Sequence, residues 1–345
     1  MNESKARQFQ EALATLPRVQ LASVRPTPLE PLQRLQQKTG GPLIYIKRDD
    51  LTGLGFGGNK TRMLEFSLAD ALAKGADTVV CGAAVQSNYC RQMAAACARL
   101  GLELHLVLRP VRPVDFGEVQ GNHLLQRLFG AHVSVLSDFD RDAQQTAIAA
   151  KCNEMRAEGR KVYQPRREDT VDLDALAYAE AGVEVARQVH ELGIDPEFLY
   201  VAALDTTQAG LVMGLEWVES PIRVRGFCPF AGWTQRHSEM ASMANQGATR
   251  LGLDIRFAAE DFGNDDTYVG KAYGMPTRAG VRAIHTLAQC EGILTDPVYT
   301  GKALAALFDH IRTGAVGADK PVIFLHTGGA PALFAYADAV LDDCA

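Results

Sequence analysis

Residues 78–109 read "TVVCGAAVQSNYCRQMAAACARLGLELHLVLR". An apolar run (78 to 84) passes through a polar turn into "NYCRQMAAACARLGL", whose apolar residues have helical spacing, and a second apolar run follows at 103 to 109. Strand, helix and strand at this spacing form a crossover unit of a parallel sheet. The pattern continues outward through "HVSVLS" (132 to 137), "FLYVAAL" (198 to 204), "IRVRGFCPF" and "PVIFLH", with "DALAYAEAGVEVARQVHELGI" as a helix between strands. The expected fold class is α/β, a mainly parallel sheet covered by helices on both faces. A chain of 345 residues exceeds the usual single core, so two domains or one large α/β domain are expected.

Composition narrows the function. The chain is 47% hydrophobic and 22% charged, with a formal net charge of -6, which offers no basic surface to nucleic acid or anionic lipid. The first twenty residues are charged and lack the apolar core of a signal peptide, and no 18 apolar residues run together. A soluble, cytoplasmic protein with no membrane partner is expected. Seven cysteines, at 81, 90, 97, 152, 228, 290 and 344, include no C-x-x-C pair, which argues against a disulfide framework and against a zinc site.

In parallel α/β folds, ligands bind beyond the carboxyl ends of the strands. Three polar, glycine-bearing turns follow strands here: "GAAVQSNYCR", "ALDTTQAG" and "HTGGAP". The run Thr206, Thr207, Gln208, Ala209, Gly210 suits a phosphate at a helix N-terminus. Each turn, taken alone, can also be an ordinary capped connection. A further candidate is "GLGFGGNKTR" (53 to 62), which puts Lys60 behind a glycine-dense loop. Asn59 breaks the Walker A spacing, and no strand opens directly into the loop as a dinucleotide fingerprint needs. Two readings stand: a lysine held for chemistry at the start of the helix "KTRMLEFSLADALAKG", with Leu64, Leu68, Ala71 and Leu72 on its apolar face, or a capping turn with a solvated lysine.

The motifs "IKRDDLTGLGFGGNKTR", "QSNYCRQMAAACARLGL", "YGMPTRAGVRAI", "GILTDPVYTGKA" and "HTGGAPALFAY" together resemble the D-cysteine desulfhydrase and 1-aminocyclopropane-1-carboxylate deaminase family, from about residue 17 to 337. The resemblance implies pyridoxal 5'-phosphate (PLP) enzymes of the tryptophan-synthase-β-like fold (PLP fold type II): homodimers with two α/β domains. The large cofactor domain is expected over 1–63 and 174–345, with a smaller inserted domain over 64–173. By the same resemblance Lys60 is the Schiff-base lysine and Asn59 its neighbour at the cofactor. Ser87 contacts the substrate carboxylate, Asn88 lies beside the PLP ring hydroxyl, Tyr273 and Tyr299 flank the substrate, and residues 206 to 210 hold the phosphate. Thr300 stands where the cyclopropane deaminases carry Glu, so the pyridine nitrogen meets a neutral hydroxyl and the cofactor is a milder electron sink. The implied activity is β-elimination from a small amino acid, giving a keto acid and ammonia, most like D-cysteine desulfhydrase. Cysteate sulfo-lyase, aminocyclopropane-carboxylate deaminase and a non-catalytic PLP or amino-acid binder are the alternatives.

The pattern departs from that family in four places. Met63 replaces a second lysine near the expected phosphate, and Asp205 replaces a glycine of the phosphate turn. That carboxylate must point away, be neutralised, or signal a changed cofactor site. A glycine-rich segment becomes "PRREDTVDLDALAY", gaining Arg166, Arg167, Glu168 and Asp169. Arg166 and Arg167 either read an anionic group on the substrate or form a solvated pair balanced by the adjacent acids. Tyr89-Cys90 follows "QSN" where a histidine commonly follows, and Cys90 is either a reactive thiol or an inert helix residue.

Overall fold

The computed structural model describes residues 1–232 and 236–341. Among these residues ten strands form two sheets. The first joins β1 (Leu29–Pro31), β2 (Ile44–Arg48), β7 (Phe198–Val201), β8 (Arg223–Phe227), β9 (Asn264–Asp265) and β10 (Val322–His326) in the order β1-β2-β10-β7-β8-β9. Only the β1–β2 pair is antiparallel. The second sheet is fully parallel, in the order β5-β4-β3-β6, from β3 (Thr78–Cys81), β4 (Glu103–Leu108), β5 (His132–Val135) and β6 (Val162–Tyr163).

Alternation along the strands explains the two-sided cover. In β7 and β10, Leu199, Val201, Ile323 and Leu325 belong to one apolar core, while Phe198, Tyr200, Val322 and Phe324 belong to another on the opposite face. The second sheet behaves alike: Val79, Cys81, Leu104 and Leu106 face one core, Val80 and Val107 the other. The fold is thus the expected α/β pair of mainly parallel sheets with helices on both faces.

Among the helices that bear on the site are α1 (Lys60–Ala73), α2 (Asn88–Leu100), α3 (Arg141–Ala157), α4 (Val171–Leu192), α5 (Thr206–Trp217) and α6 (Thr300–Thr313). Helix α1 lies between the two bodies, with Met63 and Phe66 in the core of the first sheet and Leu64, Leu68 and Ala71 in that of the second. Leu72, expected on the apolar face, is 38% exposed, because both contact faces of the helix are already used. Among the described residues no helix is long and apolar enough to cross a membrane. Six cysteines are free thiols, five of them buried, and Cys344 lies outside the described residues.

Candidate active site

Lys60 opens α1 directly after the glycine loop. Gly57 has φ 66°, and a Cβ there would lie 1.9 Å from the Asp50 carbonyl oxygen, so only glycine lets the loop fold back on the end of β2. The Asn59 N–H donates to the Thr327 carbonyl (3.0 Å) beyond β10, and its Nδ2 donates to Thr207 Oγ1 (3.2 Å) at the start of α5. The Lys60 Nζ lies 3.6 Å from Met63 Sδ. Burial, and then the positive charge of Arg166, bring its pKa down to about 8 against the pull of Asp174 and Asp205. An amine in that range supplies a useful neutral fraction near physiological pH.

Asp205 precedes α5 at φ 79°, a conformation that favours glycine. Its Oδ1 accepts the Thr206 N–H (2.9 Å), and its Oδ2 faces Arg166 Nη2 (3.6 Å) and Arg236 Nη1 (3.7 Å). Of the three outcomes open to this carboxylate, the structure has it neutralised. Other N–H groups of the first turn of α5 have no acceptor within the helix, and the helix dipole adds positive potential there. The side chains farther along serve packing. Gln208 donates to the Gly263 carbonyl and accepts from Asn264, and a Cβ on Gly210 would fall 2.1 Å from the Ala175 carbonyl oxygen of α4.

Arg166 reaches the same helix start from the loop before α4. Its Nε donates to Asp174 Oδ2 (3.0 Å) and its Nη2 to Thr206 Oγ1 (3.1 Å). Burial opposes its charge, but Asp205 and Asp174 outweigh that and raise its pKa. Arg166 thus sets a cation at the start of α5, where Met63 leaves α1 uncharged. Arg167 is exposed and pairs with Asp169 (3.3 Å), so the solvated alternative describes Arg167 and not Arg166.

Ser87 caps α2, its hydroxyl oxygen accepting the Cys90 N–H (3.2 Å), and its own proton stays available to an acceptor. Asn88 Oδ1 accepts from Arg91 Nη1 (3.3 Å) and Asn122 Nδ2 (2.9 Å), which fixes the amide and leaves its NH2 as a donor. Cys90 is fully buried on α2, the inert alternative. The Tyr273 and Tyr299 hydroxyls are 2.5 Å apart, and the Tyr273 ring stacks on Phe230 at 4.4 Å. Burial raises both phenol pKa values, so both keep their protons at neutral pH.

Lys60, Asn59, Ser87, Asn88, Tyr273 and Tyr299 line one cavity of about 390 Å³, with Asp205 and Thr207 also in its wall. Thr206, Gln208, Ala209, Gly210 and Thr300 lie behind that lining. The Thr300 hydroxyl donates to Asp296 Oδ2 (2.6 Å) and accepts the Asp296 N–H (2.8 Å), so a carboxylate absent from the sequence reading stands behind it. Arg109, Arg141 and Arg236 also reach the cavity. No motif marked them, since they converge only through the crossovers. A larger open depression, about 900 Å³, lies between α4 and the helix Arg236–Arg250; it has no lysine, and its arginine, Arg250, is held by Asp172.

A family model described as "Pyridoxal-phosphate dependent enzyme" matches residues 21–328. The chain belongs to this family. D-cysteine desulfhydrase of Salmonella newport is 38% identical over 329 residues, covering 94% of this chain and 97% of the relative. A crystal structure of an ACC deaminase homologue superposes with a TM-score of 0.87 at 34% identity, over 97% of this chain and 99% of that one. Escherichia coli diaminopropionate ammonia lyase shares the fold, with a TM-score of 0.66 at 17% identity over 99% of this chain and 91% of its own. The chain is a PLP-dependent enzyme, and the relatives similar to it over nearly its whole length are lyases. The donor set in the cavity fits PLP: a lysine of lowered pKa for the aldehyde, helix N–H groups with Arg166 for the phosphate, and a fixed amide donor for the ring hydroxyl.

Proposed function

We propose that the substrate is a three-carbon amino acid with a leaving group on Cβ, of the D-cysteine type, split to a keto acid and ammonia. The observation that carries this is one cavity lined by a half-buried lysine of pKa about 8, a serine-capped helix start and a pair of half-buried, mutually bonded tyrosines. Bound PLP supplies the electron sink for the pair left at Cα. The Lys60 amine takes the proton from Cα, and the leaving group departs from Cβ with its bonding electrons. Ser87 and the first N–H groups of α2 hold the α-carboxylate. Tyr273 and Tyr299 flank the substrate, their linked hydroxyls closing the side of the cavity. Asn59 and Asn88 hold the cofactor ring, and Arg166 with the N–H groups of Thr207 and Gln208 holds the phosphate, since the N–H groups of Thr206 and Ala209 already bond Asp205. Thr300, behind the lining with its proton committed to Asp296, would supply neither a proton nor a charge partner to the ring nitrogen.

Keto acid released from D-cysteine by the purified holoprotein, faster than from L-cysteine, serine or aminocyclopropane-carboxylate, is the expected result. No keto acid from any of them, nor from chloroalanine, would refute the reading. Arg166→Gln should raise the Kd for PLP about 10- to 100-fold, a lost charged hydrogen bond of about 1.5–3 kcal/mol. Adding Asp205→Asn should recover part of that loss, because the acid then no longer faces the phosphate unbalanced. Titration of the apoprotein by PLP absorbance measures both.

The same proposal includes the division of the chain into 1–63 with 174–345 and an inserted 64–173, cuts that fall inside α1 and α4. It also includes a homodimer. Exposed Leu124 and Leu128 on the helix Gly121–Leu128, and Phe334 on the adjoining turn Ala330–Ala335, give a partner copy apolar surface to cover, and sedimentation at micromolar concentration tests this. A cytoplasmic location accords with the free thiols and is checked by cell fractionation. Nucleic acid has no place in the proposal.

A further inference from the structure

The cavity gathers at the carboxyl ends of the strands, and the opposite end of the second sheet holds a separate cluster. β4 opens on Glu103 and β5 on His132. The strands are parallel with His105 opposite His132, and Glu103, two residues before His105, shares that face. His105 Nε2 lies 2.8 Å from Glu103 Oε1, and His132 Nε2 lies 3.7 Å from the same oxygen. The imidazoles stack, their centroids 4.7 Å apart and their planes 17° from parallel. A donor atom of each of the three side chains lies within 4.8 Å of the other two. Arg160 Nη2 pairs with the second carboxylate oxygen, Oε2 (2.5 Å), which leaves Oε1 to the histidines. The hydrogen bond with His105 and the charge of Arg160 outweigh burial and hold the Glu103 carboxyl below its usual range, so it is ionised at neutral pH.

One hydrogen bond serves His105 and Glu103 but leaves the His132 nitrogen 3.7 Å from that oxygen, beyond hydrogen-bond reach. Two protonated imidazoles directly opposite on neighbouring strands repel each other, whereas neutral rings offer lone pairs. Donors around a tetrahedral zinc ion, with bonds of about 2.0–2.2 Å, stand about 3.3–3.6 Å apart, a spacing that the two distances to Glu103 bracket. We propose that Glu103, His105 and His132 bind one divalent transition cation of the zinc class. Two imidazoles and a carboxylate select such an ion over magnesium or calcium, which take oxygen ligands. The lack of C-x-x-C pairs has no bearing on it, because no thiol takes part. The ion replaces the proton between His105 and Glu103, which goes to solvent, and water fills the fourth position. β5 is an edge strand of four residues, and the ion fastens its first residue to β4. Arg109 of the cavity wall follows His105 by four residues, roughly 13 Å along the strand, so the ion stands apart from the cofactor and does not depend on the lyase reading.

Calorimetry of the holoprotein with zinc chloride, in the absence of any amino acid, should show one ion bound with a Kd in the micromolar range, while magnesium chloride gives no heat. His105→Ala and His132→Ala should each weaken zinc binding by at least about 100-fold, beyond the roughly 10- to 100-fold lost when a ligand merely loses its own hydrogen-bond partner. Cobalt chloride as a second probe should give a visible absorption band that both variants lose. Zinc should raise the melting temperature of the parent and leave that of His132→Ala unmoved. His132 is exposed and outside the cavity, so its variant folds even where His105→Ala does not, and without zinc it should melt with the parent. No heat with zinc overturns the proposal. Zinc binding of equal strength in the parent and in His132→Ala overturns it as well, and marks an adventitious ion only.

Discussion

Lys60→Ala should abolish keto-acid release, by at least about 10⁴-fold, and leave the fold intact. Positioned proton transfer alone contributes about 10²- to 10⁴-fold, and the same substitution removes the amine that links the cofactor to the chain. Little structure depends on the side chain: its Nζ touches Met63 Sδ at 3.6 Å, and the neighbouring acids keep Arg166 as partner. The melting temperature should therefore shift by a few degrees at most, while the absorption of added PLP stays that of the free aldehyde. The pH dependence carries a sign that can be checked in the parent. A lysine pKa lowered to about 8 means that the neutral amine grows as pH rises and saturates above that value. The rate at which the apoprotein captures PLP should climb about tenfold per pH unit below about 8 and flatten beyond it, and a climb continuing to pH 10 would place Lys60 in water. A Lys60→Ala protein that turns over at the parent rate overturns its role altogether.

How much of this was legible in the sequence depended on distance along the chain. The crossover read in residues 78–109 is β3, α2 and β4, and Ser87 caps the helix as a serine at that place should. Lys60 behind its glycine loop was equally local. The fate of Asp205 was not, because a carboxylate in a glycine-like conformation is tolerable only if something neutralises it. That something, Arg166 and Arg236, comes from one residue 39 positions before it and one 31 after. The same crossovers hid Arg109, just after β4, and Arg141, which opens α3; they meet the tyrosines only across the cavity. Thr300 shows a third case: its residue type was visible, but Asp296, four positions earlier, fixes where its proton points. Residue type announces chemistry locally; charge balance is settled by topology.

Arg62→Met should cost about 3–5 kcal/mol of stability, the usual penalty for leaving buried charge without its partner. Two residues after Lys60, Arg62 is fully buried and donates to Asp49 (2.9 and 3.0 Å), Glu184 (2.8 and 3.0 Å) and Thr27 (3.1 Å). Lys47 adds a bond to Glu184, and the Tyr178 hydroxyl donates to Asp49 at 2.6 Å, so two cations and two carboxylates balance. The substitution leaves two acids facing Lys47 alone. Burial works against the Asp49 and Glu184 carboxylates, but Arg62 outweighs it and both pKa values lie below normal. Their contribution is thus present above the unfolded carboxylate range near pH 4 and is lost as pH falls below it. The parent should show that acid limb, and Arg62→Met should be less stable at pH 7 with a shallower limb in urea unfolding. The network ties β2, α1 and α4 together, so it sets the angle at which α1 presents Lys60. Loss of PLP affinity in the folded variant should accompany the loss of stability, whereas equal midpoints for both proteins at pH 7 would show the network to be dispensable.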